Sequence, residues 1–437
     1  MIDTASIYSR VRAAANTGSC TRIVVAFSGG LDSTVLLHLL ATGGFANLSA
    51  VYIDHGLQGD QAVWHAHVRD QCEVLDVPLE SVSLNLTCES QESVEAIARE
   101  GRYKALGELS GPALIVLAQH QEDQAETLML QLLRGSGPAG LSAMPALFPL
   151  GDNLAFRPLL GTSRDHVRAY ADQHALQWFD DPTNSDTRFD RNYLRHEVMP
   201  KLKQRWPKAS LTLARAARWQ ADAQQLQEQL ATYDLRRVAG AADTLNVTTL
   251  QQLSIQRRAN AIRQACRQRA MPVPPEARLQ TLDLMIRQSS GRGEVRWADC
   301  CARRYRESLY LMCPVPENED LAFDVPLAVD QWLALPRDRG LLRLHGIDPA
   351  TGVSWRCKFR QGGERIRPRE QGPSTPLARW FQAHGVPPWE RQRIPLIYVG
   401  DELAAVGAHV LRRFREQFPG IQVDHMMAPE SRDNSAK

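Results

Sequence analysis

Short apolar runs alternate with helical periodicity along the first 120 residues. Ile23–Phe27 is a continuous apolar run that stops at Ser28-Gly29-Gly30, and a leucine-rich run resumes over Thr34–Leu40. This reads as strand, tight turn and helix. Further strands are predicted at Ala50–Ile53, Ser81–Leu86 and Ala113–Ala118. Between the last two, Val94, Ile97, Ala98, Ala105 and Leu109 recur near helical spacing over Glu92–Leu109. Glu92 and Glu95 fall early in that segment, where carboxylates complement the helix dipole. Strands alternating with helices need crossover connections, so the fold class predicted is α/β: an open parallel sheet with helices on both faces. Such sheets bind ligands beyond the carboxyl ends of their strands.

The pattern changes past residue 205. Leu211–Leu235, Leu250–Met271 and Pro275–Gln288 keep helical character, punctuated by Pro272, Pro274 and Pro275. Residues 314–350 mix prolines with short apolar runs. From Val353, short strands surround one helix near Leu377–His384, and the polar end is expected to fray. Three segments are predicted: an α/β domain over 1–205, a mainly helical linker domain over 206–330, and a small α+β domain over 350–430.

At 437 residues the chain has room for about three such domains. No stretch supplies the roughly 20 uninterrupted apolar residues of a membrane helix. The N-terminal segment lacks an apolar signal-peptide core and carries Asp3. A cytoplasmic protein without membrane contact is expected. The eight cysteines include no Cys-x-x-Cys pair, so reduced, mostly buried thiols are expected rather than a zinc site or disulfide framework. A net charge of only +2 conceals two basic clusters. Thr187–Gln220 holds nine Lys/Arg against two acids, and Gly352–Gly420 twelve against six. A polyanionic partner touched at separate places accounts for both.

The strongest chemical signal follows the first strand: Ser28-Gly29-Gly30-Leu31-Asp32-Ser33. Two glycines let bare N–H groups approach a phosphate, and the helix that follows aims its N-terminus at the same point. Asp32 suits a Mg²⁺ or ammonium group held beside that anion. The segment is not a Walker A loop, since the Gly-x4-Gly spacing and the Lys are both absent. Gly135–Gly140 fits Gly-x-Gly-x-x-Gly but follows a helical run and contains Pro138, which argues against a dinucleotide site.

The second signal, Gln119–Thr127, follows the fourth strand. On a helix His120, Asp123 and Thr127 share a face with Glu126 beside them, suited to a cation. Ala125, Leu128, Met129 and Leu132 form a separate apolar stripe suited to the core. Asp54 and His55 follow the second strand and are candidates for nucleotide contact. Arg99 and Arg102, three apart on a helix, are candidates for a phosphate clamp. Asp180–Asp186 feeds a basic helix from which Arg191 and Arg195 could hold an RNA backbone.

The glycine loop resembles the PP-loop of the N-type ATP pyrophosphatases, whose fold is adenine nucleotide α-hydrolase-like. In that family the loop grips the pyrophosphate that leaves when ATP transfers AMP to a substrate oxygen. Taken with Arg134–Met144 (RGSGPAGLSAM), Phe359–Arg365 (FRQGGER) and Val386–Tyr398 (VPPWERQRIPLIY), most of the chain resembles one branch, the tRNA(Ile)-lysidine synthetases. The resemblance implies a ligase that adenylates C2 of the wobble cytidine (position 34) in a CAU-anticodon tRNA(Ile), after which L-lysine displaces AMP to give lysidine. ATP would be a substrate and Mg²⁺ a cofactor. By carry-over Ser28, Gly29, Gly30, Leu31, Asp32 and Ser33 would hold ATP, with Asp32 able to contact Mg²⁺ or lysine. Asp123 and Glu126 would hold lysine or metal, with His120 beside the substrate. Arg99, Arg102, Arg191 and Arg195 would contact phosphate or RNA, as would Arg367 and Arg369 in the last domain. A homodimer is left open. The sequence departs from the family where Gln119 stands for a histidine and Glu122 for an aspartate. A sulfur-inserting relative would need cysteines within these motifs, and a glutamine-dependent one a glutaminase half; neither is present. A non-catalytic nucleotide sensor would not need the intact Asp32, Asp123 and Glu126.

Overall fold

The computed structural model describes residues 2–54, 61–84, 94–180, 185–241, 243–288, 293–312, 323–336, 339–367 and 373–426. The chain forms two units, one ending at Leu230 and one starting at Ala231.

The first unit is built on six strands: β1 (Arg22–Ala26), β2 (Leu48–Asp54), β3 (Leu79–Ser83), β4 (Ala113–Val116), β5 (Leu147–Leu150) and β6 (Asn153–Phe156). Their order is β3-β2-β1-β4-β6-β5, and every pairing is parallel except that of the β5–β6 hairpin. Strand alternation sorts the side chains into two cores. Val24, Val51, Ile115 and Ala155 face one cluster with Leu106 and Leu109. Ile23, Val25, Ala50, Leu114 and Val116 face the other, with Val35, Leu36 and Leu39 of α2 (Leu31–Thr42) and Val11 of α1 (Thr4–Thr17). Helices therefore cover both faces, as a parallel sheet requires. The remaining helices are α3 (Gln61–Val74), α4 (Val94–Gly107), α5 (Gln121–Leu133), α6 (Pro138–Leu141) and α7 (Arg164–Gln173).

The helix predicted from Thr34 starts three residues earlier, so Asp32 and Ser33 lie in its first turn. The β5–β6 hairpin was not evident from the pattern, because four-residue strands carry too few alternations. Buried Asn153 fixes it: its amide accepts from Ala113 N–H at 2.9 Å and donates to carbonyls at the end of α4.

Beyond α7 come α8 (Asp190–Tyr193), a π-turn (Leu194–Val198), α9 (Met199–Arg205) and the 30-residue α10 (Ala209–Val238), within which the two units meet in sequence. Pro200 has no N–H to offer the preceding turn, and the widened π-turn absorbs that loss.

In the second unit, β7 (Leu245–Asn246), α11 (Val247–Gln251), α12 (Ile255–Gln268) and α13 (Glu276–Arg287) lead into β8 (Gly293–Trp297), β9 (Cys300–Tyr305) and β10 (Ser308–Met312). These strands form an antiparallel sheet in the order β7-β10-β9-β8. Every residue of β9 is buried, including Arg303 and Arg304, so the alternation that marks a half-exposed strand is missing from the sequence. The last part holds a five-stranded and a three-stranded antiparallel sheet around Leu377 and Phe381 of a helix over Leu377–Ala383. Trp389 of the VPPWERQRIPLIY segment packs on Tyr305 and Tyr310, under the Arg303 guanidinium at 5.2 Å. That segment thus ties the last sheets to β9 and β10. The described cysteines are all free thiols, and five of the six are buried.

Candidate active site

β1 and β4 are neighbours, yet the chain goes from β1 to β2 on one side and from β4 to the β5–β6 hairpin on the other. A crevice opens beyond such a switch point. The segments entering it are Phe27–Ser33 and Leu117–Asp123, the two strongest signals in the sequence.

The loop Ser28–Ser33 is closed on itself. Ser28 N–H donates to Ser33 Oγ at 3.2 Å, the two serine hydroxyls are 3.1 Å apart, and Ser33 Oγ donates to Gly30 O at 3.0 Å. Gly29 sits at φ +77°, which a side chain rarely adopts. Gly30 caps α2 without a side chain, so no cap competes for the first N–H groups of the helix. Asp32 stands beside them. Its Oδ2 lies 3.7 Å from His120 Nε2, while its buried Oδ1 has no hydrogen-bond partner among the described residues. Burial pushes the Asp32 carboxyl up and Asp123 adds to this, against the pull of His120, Arg164 and Arg195.

His120 is the N-cap of α5 in a reciprocal capping box. Its Nδ1 accepts from Glu122 N–H at 3.2 Å, and Asp123 Oδ2 accepts from His120 N–H at 2.9 Å. The ring is 2 % exposed, with Nε2 3.4 Å from Asp123 and 3.7 Å from Asp32. Burial alone would lower the His120 pKa, but Asp123, Glu122 and Asp32 outweigh it and hold it above the ordinary value.

The acids of α5 are buried, where a lone helix would turn them outward. The expected apolar stripe is only partly inside: Ala125 and Leu128 are buried, but Leu132 is 55 % exposed. Counter-charges from distant elements reverse the pattern. Asp123 Oδ1 accepts from Arg191 Nη2 and Arg195 Nη2, both at 2.9 Å. Glu126, 2 % exposed, accepts from Arg191 Nε at 3.0 Å and from Arg195 Nε at 2.8 Å. Burial would raise Asp123, yet His120, Arg191 and Arg195 hold its carboxyl below the usual range, and Arg195 is itself pushed up by the same acids. Glu122 accepts from Arg164 N–H at 2.8 Å, at the start of α7, and from Lys203 Nζ at 3.3 Å. These contacts and His120 overcome its burial and bring its pKa down to about 2.

Three of the nine cations in the first basic cluster, Arg191, Arg195 and Lys203, therefore face carboxylates of α5. Arg99 and Arg102 are exposed on α4, Arg99 lying over the Tyr103 ring at 5.3 Å. Asp54 ends β2 half-buried, whereas His55 and Asp181–Asn184 lie outside the described residues. Arg367 is exposed in the second unit, and Arg369 lies outside the described residues.

One central residue has no role predicted from the sequence. Arg157, 3 % exposed, donates to Gln119 Oε1 at 2.9 Å, Tyr103 OH at 2.9 Å and Pro145 O at 2.6 Å. Gln119 thus orients a buried guanidinium. An arginine inside the apolar run Phe156–Leu160 was the available signal.

A PP-loop domain model matches residues 4–202, a TilS substrate binding domain model 245–310, and a TilS substrate C-terminal domain model 355–423. A tRNA(Ile)-lysidine synthase of Alkalilimnicola ehrlichii is 42 % identical over 412 residues, covering 89 % of this chain and 90 % of its own. The chain belongs to the tRNA(Ile)-lysidine synthase family. Further tRNA(Ile)-lysidine synthases, from Yersinia pseudotuberculosis (36 % identical, 91 % of this chain and 93 % of the relative) and Xanthomonas axonopodis (37 %, 88 % and 89 %), share this full-length relation. In terms of that family, the crevice belongs to the PP-loop domain and Arg367 to the C-terminal domain.

Proposed function

We propose that this protein joins L-lysine to C2 of the wobble cytidine of a CAU-anticodon tRNA(Ile) through an adenylated cytidine, yielding lysidine, AMP and pyrophosphate. The carrying observation is the Asp32 carboxylate oxygen, buried and unpartnered, beside a loop of bare amides and one histidine away from the acids of α5. Bare amides suit the pyrophosphate that must leave, and an unmatched carboxylate suits a cation. Full-length likeness to the lysidine synthases supports the same reading.

The roles follow from charge. Ser28–Ser33 hold the phosphates of ATP. Asp123 and Glu126, held in place by Arg191 and Arg195, face the lysine ammonium at the crevice, where Asp32 offers its free oxygen. His120, between Asp32 and Asp123, presents Nε2 to both carboxylates and holds them in place at the crevice. Among the described residues no cluster of three or more His, Cys, Asp or Glu makes a complete metal site. Mg²⁺ would therefore rely on Asp32 together with the phosphates of ATP, whose charge it would offset. We assign Arg191 and Arg195 to holding the acids rather than to RNA. Arg99 and Arg102 remain candidates for phosphate, and Arg367 and Arg369 for the tRNA body.

The test is pyrophosphate release with ATP, lysine and the cognate tRNA, with mass analysis of the tRNA nucleosides. Asp32→Ala should abolish AMP formation and leave tRNA affinity within a few-fold. A wild-type protein that releases no pyrophosphate would remove the reading.

A further inference from the structure

We infer that Trp64, on α3, is a positioning residue that aims the amides of the glycine loop at the leaving pyrophosphate. The inference rests on the ATP-cleaving reading above and concerns groups outside the loop itself.

The Trp64 indole N–H donates to Ser28 O at 2.7 Å, and the Phe179 backbone N–H donates to Gly29 O at 2.9 Å. In a planar trans peptide, the carbonyl of one residue and the N–H of the next point in opposite directions. Tying the Ser28 carbonyl to Trp64 therefore turns the Gly29 N–H to the other side. Tying the Gly29 carbonyl to Phe179 does the same for the Gly30 N–H. Neither N–H meets an acceptor among the described residues.

The two donors act as one assembly. The Trp64 and Phe179 rings stack with centroids 5.3 Å apart, and the His67 ring packs edge-on against Phe179 at 4.6 Å. The packing leaves no slack at the loop. A Cβ on Gly29 would stand 3.0 Å from Val68 Cγ2 and 3.2 Å from Trp64 Nε1. On the other side, a Cβ on Gly30 would meet only Ser28 Oγ at 3.6 Å and Phe179 O at 3.8 Å. Gly29 is thus glycine for the indole behind it, and Gly30 is on the open side.

Donors aimed in advance where charge develops lower the barrier without reorganising at the moment of reaction. Losing a donor that touches the reacting oxygen costs about 10²–10³ in rate. Trp64 acts one peptide removed, so a smaller loss is expected, about tenfold.

The experiment is Trp64→Phe, which keeps the ring stack and removes the N–H. Pyrophosphate release is followed by turnover and by product inhibition. Turnover should fall about tenfold and the inhibition constant for pyrophosphate should rise about tenfold, while the inhibition constant for AMP and the KM values for lysine and tRNA stay within twofold. A merely structural role would move all of them together. Unchanged pyrophosphate inhibition in a folded Trp64→Phe protein overturns the inference. If that variant has no thermal transition, Phe179→Leu takes its place, since it keeps the backbone N–H but removes the stack. The same selective weakening for pyrophosphate is expected of it, and an unchanged constant overturns the inference. An inactive wild type would instead count against the ATP-cleaving reading.

Discussion

Arg195→Met separates two roles for the arginines of α8 and the π-turn. Arg195 makes charge-assisted bonds to Glu126 and Asp123 at 2.8–2.9 Å, and its side chain is 22 % exposed. Removing one partner of a buried ion pair costs about 3–5 kcal/mol, because the other charge is left desolvated. Arg191 remains and still touches both carboxylates, which places the expected cost near the lower end, about 3 kcal/mol. For a unit of this size each kcal/mol moves the melting temperature by about 2–4 °C, so a drop of roughly 6–12 °C is expected. Thermal unfolding of wild type, Arg195→Met, Glu126→Leu and the double variant closes the cycle. The double variant should be more stable than the summed single losses by at least about 1.5 kcal/mol, since neither charge is then left alone. In parallel, tRNA affinity is measured against salt concentration. A phosphate-binding arginine contributes about one unit to that slope, and here the slope should not change. A variant that melts within about 1 °C of wild type and loses one unit of slope would refute the acid-holding role.

Three further outcomes are expected. Gly29→Ala should lose activity and at least about 1–2 kcal/mol of stability, because a side chain at its φ is strained and meets Val68 and Trp64; Gly30→Ala should melt like wild type and raise KM for ATP, and equal melting losses would contradict the two-sided loop. Stability should depend on pH through the cluster: Asp123 and Glu122, the latter held at about 2, lose their contribution as pH falls through their folded values, whereas His120, held above 6.5, contributes below 6.5 and loses it as pH rises through its raised value. The stability gap between wild type and His120→Gln should therefore shrink from about pH 5 to about pH 9, and a constant gap would exclude the pairing of the ring with its acids. Reversing the charge at Arg367 and Arg369 should weaken tRNA binding with a shallower salt dependence; an unchanged isotherm would take that segment out of the interface.

Local order was legible wherever a single segment carried its own signal. The apolar run Ile23–Phe27 ending at Gly29-Gly30 determined a strand, a turn and a helix start, because backbone preference and burial there act over neighbouring residues. The acids at 123 and 126 were visible as chemistry for the same reason. What neighbours they have was not in the local pattern. Arg191 and Arg195 read as contacts for an RNA backbone, and only the packing of α8 and the π-turn against α5 brought them within 3.0 Å of the carboxylates. Buried β9 hid its alternation for the related reason that both of its faces are covered. Trp64 carried no legible role at all: the indole is 36 residues from the carbonyl it holds, and that pairing exists only because α3 folds back over the end of β1. Sequence by itself determined which groups this protein possesses. Tertiary contact decided which of them are charged, which are aimed and which remain open to a ligand, because desolvation and pairing are properties of surroundings that residues far apart in the chain create together.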